Sequence, residues 1–411
     1  MKVLDTFAGA GGFSLGFEMA GYEIVGAIEK DVWATDTFKA NHPEANVVTG
    51  FIEDLSNEYL KEAFGCDVDI VLGGPPCQGY SHANNDSGDP KDPRNSLFKE
   101  FIRVGEVLDP DMMIMENVPS IAEAKTETGD FVISVIRREL RELGYFVYDT
   151  VLEAVDYGVP QIRKRLFVLA SKEELRTPFP PPTHLWSEDK EPDLFGENGT
   201  DQLDRTPTLW EAISDLPLIE AREGSEEMEY TIRPETAYQE MMRSMSDKVY
   251  NHKAMNHYKR TVERFKAMSW GDSVSDVPEE HRPFKRNSGG EVRSKKTYDQ
   301  NNRRMHPNRP CHTIPASFYA NFVHPYRHRN FTAREGARIQ SFPDSYVFKG
   351  KPTVVSKKLL EREGRTGEMH LCQYNQIGNA VPPLLAKAIA SNLKERDSVK
   401  RGSSHSVNSL Y

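Results

Sequence analysis

Four short stretches of this 411-residue chain combine residue types that can do chemistry. The first is Gly73-Gly74-Pro75-Pro76-Cys77-Gln78-Gly79-Tyr80-Ser81. Prolines stiffen the turn and fix the direction of the Cys77 thiol, a frame that suits a nucleophile better than a buried structural cysteine. The glycine-rich polar stretch that follows, 78–95, has the length of a mobile lid. In the second, Met115-Glu116-Asn117-Val118, a glutamate closes an apolar run. Desolvation there raises a carboxyl pKa, which would equip Glu116 to donate a proton or a hydrogen bond. The third is Gln161-Ile162-Arg163-Lys164-Arg165. If extended, it sets Gln161, Arg163 and Arg165 on one face, with two guanidiniums able to bind a phosphate or a base carbonyl. The fourth, Phe7-Ala8-Gly9-Ala10-Gly11-Gly12-Phe13, is a turn whose glycines let the backbone approach a ligand. It is not a dinucleotide fingerprint, because Ser14 takes the third glycine's place, and no phosphate-loop lysine follows. Glu29 stands about 20 residues further on, where an acid binds ribose hydroxyls. The turn and the acid together indicate an adenosine-containing cofactor.

The elements around these stretches read as alternating strands and helices. Short apolar runs at 3–4, 23–28, 69–72, 112–115 and 166–170 have the look of buried parallel strands. Between them, Leu97, Phe98, Phe101, Ile102 and Leu108 share one helical face, and so do Val132, Val135, Ile136, Leu140 and Leu143. This predicts an α/β fold with a doubly wound, mostly parallel sheet and ligands at the carboxyl ends of its strands. Periodicity fades after Ala170, where Pro178, Pro180, Pro181 and Pro182 cluster, and returns at Arg309. The expected organisation is a catalytic and cofactor domain at 1–170 and a smaller, loop-rich domain at 171–308. A return segment at 309–397 follows, its final helix packing on the first domain, and a disordered tail at 398–411 ends the chain. In that final helix Leu385, Ile389 and Leu393 line one face behind Pro382 and Pro383.

Composition bounds the partners. No apolar run reaches the roughly 20 residues of a membrane span, and the first residues lack a signal-peptide pattern, so the expected setting is cytoplasmic. The four cysteines (Cys66, Cys77, Cys311 and Cys372) show neither paired nor zinc-finger spacing, which predicts no disulfide framework and no metal. Cys66, Cys311 and Cys372 read as small buried hydrophobes. Net charge is −10, yet residues 245–310 carry 15 Lys/Arg against 8 Asp/Glu, whereas 171–230 carry 5 against 16. A basic segment in an acidic chain suggests one surface that faces an anion.

The Gly-rich turn, Pro-Cys-Gln, Glu-Asn-Val and Gln-x-Arg-x-Arg, in this order, resemble the cytosine-5 DNA methyltransferase family of prokaryotes and phages. Arg309-Pro310-Cys311-His312-Thr313, the segment 334–344 and Gln376-Ile377-Gly378-Asn379-Ala380-Val381-Pro382 extend the resemblance. It implies a sequence-specific enzyme that moves a methyl group from S-adenosylmethionine to C5 of a flipped-out cytosine in double-stranded DNA, leaving S-adenosylhomocysteine. By resemblance, Cys77 attacks C6, Glu116 protonates or hydrogen-bonds N3, and Arg163 and Arg165 hold the nucleotide. Phe7, Ala8, Gly9, Gly11, Gly12, Glu29, Ile52, Pro76, Leu97, Asn379 and Val381 match cofactor positions. Gln78, Ser81, Gln161, Thr313, Arg260, Arg286, Arg303 and Arg304 are the candidate DNA contacts, and the middle segment is the place of target recognition. A monomer is implied, in company with a cognate restriction endonuclease or acting alone. One position departs from the family: Phe51 stands where it usually has an aspartate for the adenine amino group. A tRNA-modifying member is the nearest rival, but its Cys-Phe-Thr motif is absent. A regulator with a decayed site would have lost Cys77 or Glu116, and a nicotinamide oxidoreductase leaves Pro-Pro-Cys-Gln without a purpose.

Overall fold

The computed structural model describes residues 1–65, 67–76, 97–126, 128–186, 203–287, 290–293, 302–352 and 357–405. Cys66, Cys77, Gln78 and Ser81, with the whole of the expected lid, lie outside the described residues. The chain forms two compact units: 1–158, 163–205 and 381–411 in one, 159–162 and 206–380 in the other. The boundaries expected at 170 and 308 therefore fall inside units. Of the described residues, 171–186 and 203–205 stay with the sheet, and 309–352 and 357–380 stay with the middle segment. Among the described residues no helix is long and apolar enough to cross a membrane.

The first unit is built on a seven-stranded sheet. Its strands are β1 (Lys2–Thr6), β2 (Glu23–Glu29), β3 (Asn46–Thr49), β4 (Ile70–Gly73), β5 (Met112–Asn117), β6 (Phe146–Glu153) and, after the two-residue β7 (Gln161–Ile162) outside this sheet, β8 (Lys164–Ser171), in spatial order β3-β2-β1-β4-β5-β8-β6. Order reverses at β1 and β4, so their carboxyl ends form the switch point where such sheets bind ligands. The helices α1 (Gly12–Met19), α2 (Val32–Asn41), α3 (Asn57–Phe64), α4 (Leu97–Leu108) and α5 (Val132–Glu142) make the crossovers. The faces expected of α4 and α5 are buried, Leu143 partly, against Val71, Met113, Leu166 and Val168 of the sheet. The strand at 166–170 is antiparallel to β5 and β6, not parallel as its apolar run suggested. The link from Ala154 to Arg163 is shorter than the dozen or so residues a parallel crossover needs, so the chain can only double back. β6 lies at the sheet edge and is mostly half-buried, which hid it in the sequence.

The final helix, Pro383–His405, closes this unit by packing on α1. Leu385, Ile389 and Leu393 are buried as their spacing predicts. The approach is close: a Cβ on Gly16 would lie 2.3 Å from the Ala386 Cβ, so only glycine fits. This helix runs through residues expected to be a tail from Ser398. The stretch 394–401 has no proline to stop it, and Gly402 alone costs only about 1 kcal/mol in a helix. Residues 406–411 lie outside the described residues.

The second unit has short elements: an antiparallel ribbon of Gly224–Glu229 with Lys248–Lys253, a hairpin of Phe284–Asn287 with Gly290–Arg293, and helices of four to eight residues. Its interior is ionic as well as apolar. Arg329 grips both Glu335 oxygens at 2.7 and 2.8 Å, and Arg338 bridges Asp344 and Asp215.

Candidate active site

The Gly-rich turn leaves β1 with three residues in the left-handed region: Phe7 (φ 56°), Gly9 (φ 54°) and Gly11 (φ 83°). For a phenylalanine this is a strained conformation of the kind found at functional turns. Glu29, at the end of β2, ties the turn down. Its Oε2 accepts the Gly9 N–H and its Oε1 accepts the Asp31 N–H, both at 2.9 Å. Burial raises its pKa, against the lowering effect of those two hydrogen bonds. Each carboxylate oxygen keeps a further lone pair for a ribose hydroxyl. A Cβ built on Gly9 would meet nothing within 4 Å. The turn thus fronts open space beside a glutamate, which fits an adenosine-bearing cofactor. Ala8, Gly11 and Gly12 are buried in the turn, and Ile52, Leu97 and Val381 are buried in the same unit. Pro76 is partly exposed there. Asn379 is exposed at the end of the helix Gln373–Asn379, in the second unit.

The sequence reading missed Asp5. It lies buried in β1 beneath the turn, accepts the Ser14 hydroxyl at 2.6 Å, and has its pKa raised to about 7 by burial. The signal was present, since an acid inside an apolar strand must find a buried partner.

Glu116 and the Pro-Pro turn meet across β4 and β5, which pair in parallel. A Cβ on Gly74 would sit 3.6 Å from Glu116 Oε2, so the carboxylate lies beside the turn that leads to Cys77. Asn117 Nδ2 donates to the Pro75 carbonyl at 2.9 Å, so Glu-Asn-Val anchors the backbone two residues before the cysteine. Gly73 tolerates no side chain, because its Cβ would come within 2.7 Å of Thr6 Oγ1 and the Phe101 ring. Glu116 has a charged partner at this strand end. Arg165 Nε pairs with Glu116 Oε1 at 2.8 Å, and both side chains are nearly buried. Arg163 is fully buried, and burial, reinforced by the Arg165 charge, disfavours its protonated form while Glu116 supports it.

Gln161, Arg163 and Arg165 do not lie on one continuous strand. The extended run breaks at Arg163: Gln161–Ile162 pairs with Cys311–His312 in the second unit, while Lys164–Ser171 enters the sheet. Gln161 is buried and binds Gln340 Oε1 and the Ile314 N–H, so it is not a surface DNA contact. Thr313 is exposed and donates to the Ile162 carbonyl at 2.7 Å. Arg304 is also withdrawn from the DNA contacts. It is 3% exposed and donates to the carbonyls of Phe265, His324, Pro325 and Arg327. Arg260 is exposed near the rings of Tyr258 and Phe284, Arg303 is partly exposed, and Arg286 lies on the hairpin strand Phe284–Asn287. Cys311 and Cys372 are buried, and burial pushes the Cys311 thiol pKa up, as suits a structural cysteine.

A sequence model described as C-5 cytosine-specific DNA methylase matches residues 1–395. The chain belongs to that family. It is a DNA (cytosine-5-)-methyltransferase whose methyl donor is S-adenosylmethionine. It is 46% identical over 399 residues to the type II methyltransferase M.DdeI of Desulfomicrobium norvegicum, covering 96% of this chain and 88% of that one. It is 31% identical over 450 residues to the type II methyltransferase M.AgeI of Thalassovita gelatinovora, covering 96% and 99%. Among solved structures, a prophage-encoded DNA modification methyltransferase of E. coli superposes with a TM-score of 0.70 at 24% identity, covering 96% of this chain and 99% of that one. The S. pombe Dnmt2 methyltransferase superposes at 0.55 with 18% identity, covering 96% and 99%. At these identities the two structures speak for the fold alone.

Proposed function

We propose that this enzyme methylates cytosine within a specific double-stranded DNA sequence through a covalent adduct on Cys77. Neutral cytosine has no nucleophilic carbon, so one must be created by addition, and the base must leave the stack to expose the reacting atoms. The Cys77 thiolate forms a bond to C6, and the displaced electron pair makes C5 nucleophilic. Glu116 supplies a proton or hydrogen bond to N3, which lets the ring accept that pair. The cofactor, held by the Phe7–Gly12 turn and Glu29, supplies an electrophilic methyl group to C5. Loss of the C5 proton then returns the electron pair, expels Cys77 and restores the aromatic ring. Arg165 acts as a positioning residue: its hydrogen bond at 2.8 Å fixes the rotamer of Glu116.

The observation that carries this reading is the Glu116 carboxylate beside Gly74, with Asn117 gripping Pro75 two residues before Cys77. The basic segment 245–308 is proposed as the target reader, with Arg260, Arg286 and Arg303 as phosphate or base contacts. The names of the type II relatives support a restriction-modification role, with a cognate endonuclease recognising the same sequence. We place the enzyme in the cytoplasm, acting as a monomer. The test is bisulfite sequencing of plasmid DNA from a methylation-free host that expresses the chain. Methylcytosine confined to one short motif is the expected result, and unmodified DNA from well-folded, cofactor-binding enzyme would overturn it. A duplex carrying 5-fluorocytosine in that motif should trap the adduct, because fluorine cannot leave as a cation, and Cys77→Ala should abolish the trapped species.

A further inference from the structure

β3 ends at Thr49, and the Gly50 N–H donates to the Glu29 carbonyl at 3.0 Å, so the chain leaves the sheet next to the residue that ties down the Gly-rich turn. Phe51 follows, then a single helical turn, Ile52–Asp54. Within two residues the burial splits: Ile52 is 3% exposed and Phe51 is 52% exposed. The turn is clamped from α4, where Arg103 donates to the Ile52 carbonyl and to Asn57 Oδ1, each at 2.8 Å, while its Nε binds Glu100 at 2.7 Å. Lys30, directly after Glu29, sets its ammonium 5.4 Å from the centre of the Phe51 ring. A half-exposed aromatic ring is thus held on a fixed turn at the carboxyl edge of β3, beside Glu29.

A phenyl ring binds a planar heterocycle through its face and offers no acceptor to an exocyclic amine. The two acids that follow, Glu53 and Asp54, are exposed on the helical turn. Ile52's carbonyl already takes Arg103 and the Leu55 N–H, and Phe51's own carbonyl takes the Asp54 N–H. We propose that Phe51, steadied by Lys30, is the wall of the adenine subsite, and that this enzyme recognises the purine by stacking and leaves its exocyclic amine unread. It therefore accepts cofactors that carry a substituent on that amine. This rests on the reading of the Gly9–Glu29 turn as the cofactor site.

The experiment is calorimetric binding to the full chain of S-adenosylhomocysteine and of its analogue bearing one methyl on the exocyclic amine. The parent enzyme should bind the two within about threefold of each other. Phe51→Ala should weaken both by about tenfold, in the range measured for loss of one base–aromatic stack, and Phe51→Trp should restore them. Phe51→Asp should create discrimination, favouring the unmethylated ligand by about tenfold. Thermal melting checks that each variant is folded, which the exposure of Phe51 favours. Rejection of the methylated ligand by the parent, or unchanged binding in Phe51→Ala, overturns the proposal. Glu29→Ala separates it from its foundation. If that variant loses binding while Phe51→Ala keeps it, only the stacking wall fails; if Glu29→Ala binds like the parent, the underlying site fails too.

Discussion

In the sheet unit the fully buried side chains include Leu4, Val71, Phe101, Ile114 and Phe167, whereas in the other unit they include Arg329, Arg334 and Arg338. The first set is held by apolar burial between sheet and helices, which needs the right size and pattern and tolerates some exchange. The second is held by charge. Arg338 binds Asp344 and Asp215, Arg334 reaches the carbonyls of Tyr250, Pro343 and Tyr346, and Arg329 joins Glu335 to the Ile219 carbonyl. A unit with short elements and few long strands cannot be specified by periodic apolar patterning alone. Buried guanidiniums, each with five donors in a fixed fork, can hold several loops in register at once.

The largest effect is expected at the proposed nucleophile. Cys77→Ser should reduce turnover at least about 10⁴-fold, with S-adenosylhomocysteine affinity unchanged; ordinary methylation by this variant would move the chemistry elsewhere. Next, Arg338→Met removes the guanidinium that Asp215 and Asp344 share, leaving Arg243 beside the one and Arg334 and Tyr230 beside the other, and should destabilise the second unit by about 3–5 kcal/mol. Urea unfolding reads this, and a loss under about 1 kcal/mol would mean the ionic core is dispensable. Glu116→Gln should lower turnover about a hundredfold while DNA affinity by filter binding stays within about threefold. Equal loss of binding would make the carboxylate structural.

Acid should separate the two units in opposite directions. In the second, burial lowers the pKa of His252 and His257 to about 4, below an unfolded value near 6.5. Glu335, Arg329 and Arg334 surround His252, with the glutamate opposing the shift. Both histidines are neutral when folded, so their stability is complete above about pH 6.5 and is lost as pH falls towards 4. Asp5 in the first unit has the reverse sign. Its folded value of about 7 lies above the unfolded one, so the stability it contributes is complete below about pH 4 and is lost as pH rises through 7. His184 there works against this trend. Hydrogen exchange by peptide, from pH 7.5 to 5 and corrected for intrinsic rate, should show protection falling around His252 and rising in β1. Parallel changes would dissolve the contrast. The smallest effect is Ile114→Val in the sheet, about 1 kcal/mol in the same urea assay.

The parts legible in the sequence are those set by local pattern. Leu97 to Leu108 announces α4, and the turn after β1 announces a ligand. Partnership across long separations was not legible. Arg165 reaches Glu116 only because β8 turns back beside β5, setting Leu166 opposite Asn117 and Phe167 opposite Glu116. Nor does a charged residue reveal in its own type whether it faces solvent. The basic segment suggests Arg304 as a DNA contact and the Gln-x-Arg-x-Arg motif suggests Gln161, yet they hold carbonyls and an amide inside the second unit. Phe51, by contrast, stood out in the sequence as a departure, and the structure adds its exposure and its lysine neighbour.

The packing of the last helix on α1 sets a timetable. A ribosome delivers α1 well before the segment 383–405, with the whole second unit synthesised in between. Until then the face around Gly16 and Phe17 has no cover from Ala386 and Ile389, so the sheet unit is begun first and finished last. A nascent chain of this enzyme carries an open apolar seam for as long as the second unit is being made, a surface for holding chaperones that the folded protein no longer displays.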